Sequence, residues 1–164
     1  MTVTVRNLSA TISEVIEELA LVVVEEPETR PEFSPDTVAW IEVTGSITGQ
    51  IIVRCRRELG ILLASNLLGI DPEDAQAQEK ASDAIGEMLN VICGNLITNF
   101  FGAEKTFNVS IPRVADIESA PENNTNWAMQ ETFFFLFDSH PIEFVLNVSP
   151  ALSAQCSRKE CHGR

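Results

Sequence analysis

The sequence predicts an α+β domain, a layered sandwich of a mainly antiparallel sheet with a long helix that carries the functional face. Three observations predict it. Pro72–Phe101 keeps one apolar helical period from end to end. Two pairs of strand-like runs, Asp36–Val43 with Gln50–Cys55 and Trp127–Phe137 with Ile142–Ser149, each flank a turn-rich segment, which is the mark of a hairpin. The order helix, strands, helix, helix, strands joins strands by hairpins rather than helical crossovers, so the sheet is antiparallel with helices layered on it.

Taken in order, a first helix is expected from Ser9 or Thr11 to Val24, with Ile12, Val15, Ile16, Leu19 and Val23 as its apolar face and Glu25-Glu26-Pro27 as its end. Pro27 to Pro35 is a loop with three prolines. The first strand pair turns through Gly45 to Gly49. Arg56–Leu68 forms a second helix, with Leu59, Leu62, Leu63 and Leu67 as its stripe and Gly69 closing it. The long helix starts with Asp71 as N-cap and Pro72 at its first position, carries Glu73 and Asp74 at the positive end of its dipole, and stops at Gly102. Its apolar positions Ala81, Ile85, Met88, Leu89, Ile92 and Leu96 define one buried face. Thr106–Val114 is a strand with Pro112 near its end, and Asp116–Asn126 is a polar loop. Asp138-Ser139-His140-Pro141 is a turn, in which His140 is expected at the surface rather than on a metal. Phe133–Phe137 carries aromatics on both faces of its strand, so that strand needs cover on both sides, from helices or from another subunit.

The chain has 164 residues, 45% hydrophobic and 21% charged, a globular composition with enough material for one core. Residues 1–150 are expected to form a single domain and 151–164 a disordered tail, in which Cys156, Cys161 and His162 lack a second ligand pair for a metal. With 24 acidic and 11 basic residues the net charge is −13, which sets nucleic acid and anionic membranes aside as partners. The first ten residues contain no long apolar core, and the runs Leu19–Val24 and Phe133–Phe137 are too short to cross a bilayer, so a cytoplasmic protein is expected. Cys55 and Cys93 read as small buried apolar residues. No glycine-rich phosphate loop, HExxH or nucleophile elbow occurs.

The unusual feature is the polar side of the long helix. With Asp83 set at zero, Glu87, Asn90 and Gly94 fall at roughly +40, −20 and +20 degrees, nearly opposite Ile92. Gly86 lies beside this stripe. Each glycine inside a helix costs about 0.5–1 kcal/mol relative to alanine, so two of them point to a close approach to the backbone. From geometry alone an ordinary solvated face reads the same way. A faint repeat relates Ser13-x3-Glu17-x2-Ala20 in the first helix to Asp83-x3-Glu87-x2-Asn90 in the long one.

Asp83-x3-Glu87-x2-Asn90, the surrounding text GEMLNVICGNLITNFFG and Pro112 twenty-two residues after Asn90 resemble the pattern of the CheC/CheX/FliY chemotaxis phosphatases. The element order over Leu8–Ser149 is also similar, and the CheX branch is the nearest because one motif is complete. The chain departs from the pattern in two ways. Pro112 comes one residue early, and Ala20 stands where a second motif would carry Asn. The resemblance implies a phosphatase that removes the phosphoryl group from the aspartate of a CheY-like response regulator. Asn90 would hold the attacking water through its amide, and Glu87 would pair with the regulator's active-site lysine. Asp83, Gly86 and Gly94 would belong to the docking surface. No cofactor of its own is implied, since the magnesium ion belongs to the regulator. A homodimer is implied as well. The alternative on the same fold is a non-catalytic module that binds a regulator or serves as a scaffold.

Overall fold

The structure is a computed structural model that describes residues 5–102, 105–122 and 126–150; the tail with Cys156, Cys161 and His162 lies outside them. Helix α1 spans Val5–Ala20, β1 Val24–Glu25, β2 Thr37–Gly45, β3 Ile47–Cys55, α2 Arg57–Leu68, α3 Ala75–Phe101, β4 Phe107–Val109, β5 Arg113–Asp116, β6 Met129–Phe137 and β7 His140–Pro150. One sheet runs β1-β6-β7-β3-β2, and the far edge of β2 takes β4 and then β5. Every pairing is antiparallel.

Alternation along the strands assigns the two sheet faces. Ile41, Val43, Ile51, Val53, Phe133, Phe135, Phe144 and Leu146 face the helices and join Leu8, Ile12, Ile16, Leu59, Leu63, Ile85, Leu89 and Ile92 in one core. Phe135 and Phe144 meet edge to face at 5.7 Å, a favoured arrangement for aromatic rings. By length and composition α3 could cross a membrane. Instead Ile85, Met88, Leu89, Ile92 and Leu96 are buried in this core, as their periodicity requires.

Among the described residues the other sheet face carries no α-helix, only a single 3-10 turn at Ile117–Ser119. The chain passes from β1 to β2 and from β5 to β6 through two irregular segments, and contacts on that face come from both. Ile117 and Ala120 pack on Val38, Ile52 and Val145 beside Trp40. Arg30 stacks over the Phe134 ring at 5.2 Å and reaches Glu143, which also accepts from Arg54 at 2.8 Å. The second side of the phenylalanine-rich strand is therefore covered within the chain at Phe134.

Several boundaries differ from the sequence reading for physical reasons. The first helix starts earlier and stops at Ala20, because Leu21 takes a left-handed conformation with φ 52° and the chain turns into β1. Val23 is exposed, and Leu8, Ala20 and Val22 supply the burial instead. Asp71 caps a separate turn, accepting from Glu73 N at 2.9 Å. The N-cap of α3 is Asp74, whose carboxylate accepts from Gln76 N at 2.8 Å. The first helical N–H of α2 is satisfied from a distance, by Asp36 on the approach to β2, at 2.8 Å. The β2–β3 ladder closes at Val43 and Gly49, so the connection runs Thr44 to Thr48, close to the expected Gly45 to Gly49. Gly45 has φ +124°, and a Cβ there would stand 2.5 Å from the Thr106 carbonyl, so only glycine fits. The β6–β7 turn is two residues, Asp138 and Ser139, both at positive φ, which suits a tight hairpin. Asp138 ties it to the residue just before β1, accepting from Val23 N and donating from its own N to Val23 O. His140 begins β7 half-buried, with Nδ1 3.1 Å from the carbonyls of Phe137 and Asp138.

Cys55 and Cys93 are both buried. Burial pushes the thiol of Cys55 up to about 12 and that of Cys93 to about 11, so both remain protonated at neutral pH and act as packing residues.

Helices α2 and α3 approach closely at Gly60, which lies outside the apolar stripe expected for α2. A Cβ on Gly60 would stand 2.7 Å from the Ala81 carbonyl oxygen and 2.8 Å from Ile85 Cδ1. Gly60 thus sets the separation of α2 and α3, and Leu67, assigned to the stripe of α2, is turned out to solvent. Gly60→Ala is expected to destabilise the protein by about 1–3 kcal/mol, since backbone cannot yield as a side-chain tip can. Urea unfolding measures this, and an unchanged midpoint would show that α2 is free to shift.

Candidate functional site

The buried stripe of α3 fixes the rotation of the helix, and so fixes what its other side presents. Asp83, Glu87 and Asn90 are all exposed on that side. They line one open groove of about 680 Å³, with Ser82 and Gly86 from the same helix and Val109, Ser110, Ile111, Pro112 and Val114 from the opposite wall.

That wall exists because the expected strand Thr106–Val114 is broken. Proline has no N–H to give to a ladder, and around Pro112 the strand divides into β4 and β5. The edge of β2 remains satisfied through Ser110. Its N–H donates to Glu42 O at 2.9 Å, and its hydroxyl accepts from Glu42 N at 3.0 Å, in the place of a strand carbonyl. From this corner Pro112 faces α3, and Ile111 lines the groove while standing open to solvent. Gly86 lies below them: a Cβ there would be 3.7 Å from Val114 Cγ2 and 3.8 Å from Pro112 Cβ, ordinary contact distances.

The charges on the stripe are not equivalent. Lys80 Nζ lies 3.0 Å from Asp83 Oδ2, and this hydrogen bond, reinforced by the Asp83 charge, holds the lysine above its ordinary value. Glu87 and Asn90 have no hydrogen-bond or ion-pair partner among the described residues. The groove thus offers one uncompensated carboxylate and one free amide, three residues apart on a helix, hence neighbours at about 5–6 Å between Cβ atoms. A free amide can accept and donate at once, and so can orient a water. A free carboxylate can receive a cationic side chain.

Of the residues expected at the site, Asp83, Gly86, Glu87 and Asn90 come together in the groove, while Gly94 is exposed on the same stripe but does not line it. The close approach expected at the two glycines is modest at Gly86, where the neighbour is the chain's own corner, and nothing stands within 4 Å at Gly94. Ser82, Ser110, Ile111 and Val114 were not singled out from sequence; Pro112 was the one signal in the opposite wall. The repeat in α1 makes no second site. Ala20 is 1% exposed, and its carbonyl accepts from Asn66 Nδ2 at 3.0 Å.

An antiparallel sheet with helices on one face, and a motif-bearing helix beside a broken edge strand, define a class that comparison with known proteins identifies. The family model described as "Chemotaxis phosphatase CheX" matches residues 37–132. The chain belongs to the CheX family. Its fold is similar to the chemotaxis protein CheX of Desulfovibrio desulfuricans, with 17% identity and a TM-score of 0.69 over 88% of this chain and 97% of that one. It is similar to CheX in a CheX–CheY–BeF3–magnesium complex from Borrelia burgdorferi, with 20% identity and a TM-score of 0.64 over 88% of this chain and 96% of that one. It is also similar to FliY of Thermotoga maritima, with 18% identity and a TM-score of 0.53 over 92% of this chain and 93% of that one. Among curated protein sequences none matches the chain.

Gly86→Ala and Gly94→Ala are each expected to leave the fold intact and to raise its stability by about 0.5–1 kcal/mol, because the added methyl meets ordinary contact or open space and alanine is the better helix former. Thermal unfolding of the two variants checks this. A lowered Tm at Gly86 would mean that the Pro112 corner sits closer to α3 than these distances give.

Proposed function

We propose that the protein hydrolyses the aspartyl-phosphate of a CheY-like response regulator docked on the groove of α3. The observation that carries the reading is the pair Glu87 and Asn90, exposed and unpartnered on one face of a helix held rigid by its buried side, in a chain of the CheX family. Membership of a family described as chemotaxis phosphatases supports the activity, and the Borrelia CheX in complex with CheY supports the class of partner.

The chemistry asks little of the protein beyond position. Water attacks phosphorus in line with the aspartyl oxygen; the new O–P bond forms as the acyl phosphate bond breaks, leaving a carboxylate and inorganic phosphate. The transition state is loose, so alignment outweighs strong acid–base catalysis. Asn90 holds the water, its carbonyl accepting one O–H and its NH2 donating to the water oxygen. Glu87 pairs with the regulator's active-site lysine and sets the register of docking. Asp83, already paired with Lys80, shapes the docking surface and takes no part in the chemistry. The magnesium ion is the regulator's. The reading also includes action in the cytoplasm, where response regulators work, and a homodimer as the family resemblance implies.

Asn90→Ala is expected to lower regulator dephosphorylation on the order of a hundredfold while regulator binding persists. Phosphate release from magnesium-loaded, phosphorylated regulators of the same genome measures it, and parental turnover by the variant would remove Asn90 from the role. Binding without turnover by the parent itself would favour the non-catalytic module. Glu87→Ala is expected to weaken regulator binding by at least about tenfold; unchanged affinity in titration calorimetry would count against the docking pair.

A further inference from the structure

Six large apolar side chains are exposed among the described residues: Leu21, Val23, Leu67, Leu68, Val109 and Ile111. Four of them border the Asp83–Asn90 stripe. Val109 and Ile111 line the groove on one side of it. Leu67 and Leu68, at the end of α2, line a second groove on its other side, together with Ala64, Ala84 and Lys80. Asp83 and Glu87 line both grooves and form the ridge between them.

Ile111 is the extreme case, 86% exposed. Its backbone is held by the Ser110 hydrogen bonds on one side and the fixed φ of Pro112 on the other. An isoleucine presented rigidly to water costs little entropy to bury in a complex. The end of α2 is likewise fixed, by the left-handed Gly69 cap, whose N–H donates to the Ser65 carbonyl, and by Asn66, whose side chain donates to the Ala20 carbonyl.

We propose that the docked regulator spans both grooves, and that Ile111 and Leu68 are the apolar anchors that decide which regulator fits. This rests on the function proposed above. The occupant follows from continuity, because both grooves share Glu87, the residue that would receive the regulator's lysine. Apolar contact on either side also shields that pair from bulk water and strengthens it. A regulator that fits presents apolar surface on both sides of its phosphorylation pocket. One that presents charge there is rejected, since burying an unpaired charge against leucine and isoleucine is costly.

The test is the affinity of Ile111→Ser and Leu68→Ser for receiver domains from the same genome, activated with BeF3 and magnesium, beside Val23→Ser as an exposed apolar position outside both grooves and Asn90→Ala as the turnover control. Each anchor variant is expected to raise Kd by about tenfold or more, and Val23→Ser to bind as the parent does. Parental affinity in either anchor variant, with turnover lost in Asn90→Ala, would overturn the two-groove footprint and leave the phosphatase reading standing. A loss of turnover in the anchor variants at unchanged Kd would equally overturn the anchor role. A parent chain that neither binds nor dephosphorylates any regulator would remove both.

Discussion

The far edge of β2 is the constraint on which the site depends. A strand edge carries backbone groups that must find partners, and the chain that supplies them here contains a proline. Pro112 has no N–H to give to the ladder, and around it the edge divides between β4 and β5, with the Ser110 hydroxyl accepting the bond that a strand carbonyl would otherwise take. The corner that results is at once a defect in the sheet and the wall of a groove. Its hydrogen bonds make it a rigid wall, although it contains no regular secondary structure.

The other wall obtains its rigidity differently. Met88, Leu89 and Ile92 are at most 1% exposed, so α3 cannot roll without exposing them. Each such side chain is worth about 1.5–3 kcal/mol of burial, far more than a polar side chain gains from an exposed ion pair. The polar face is therefore held in place by the apolar face behind it. Glu87 and Asn90 need no hydrogen bonds of their own to be aimed, and both remain free for a partner.

Much of this was legible in the sequence, because it is written in short-range periodicity. The apolar repeat of α3 gives its buried face, and the same geometry gives Asp83, Glu87 and Asn90 as one stripe. The hairpins follow from turn residues between alternating runs. What the sequence did not disclose depends on contacts between distant segments. Nothing local distinguishes Gly60, which meets Ala81 across a helix interface, from Gly86, which meets only ordinary contacts. Asp71 and Asp74 are equally good caps by type, and only the path of the chain selects Asp74. The stripe assigned to α2 included Leu67 because periodicity marks apolar positions without saying which partner covers them. Ile111 was unremarked because a single isoleucine in a strand-like run reads as core.

Ala20 has a consequence for how the chain can work. The helix that echoes the motif of α3 has turned the corresponding position inward, and an asparagine there would place an amide in a packed core, at a residue whose own backbone carbonyl already accepts from Asn66. A substitution at Ala20 alone would therefore not reproduce the exposed motif of α3. On the function proposed above, the chain would offer one docking groove among its described residues, and any steepness in a response to regulator concentration would have to come from association between chains.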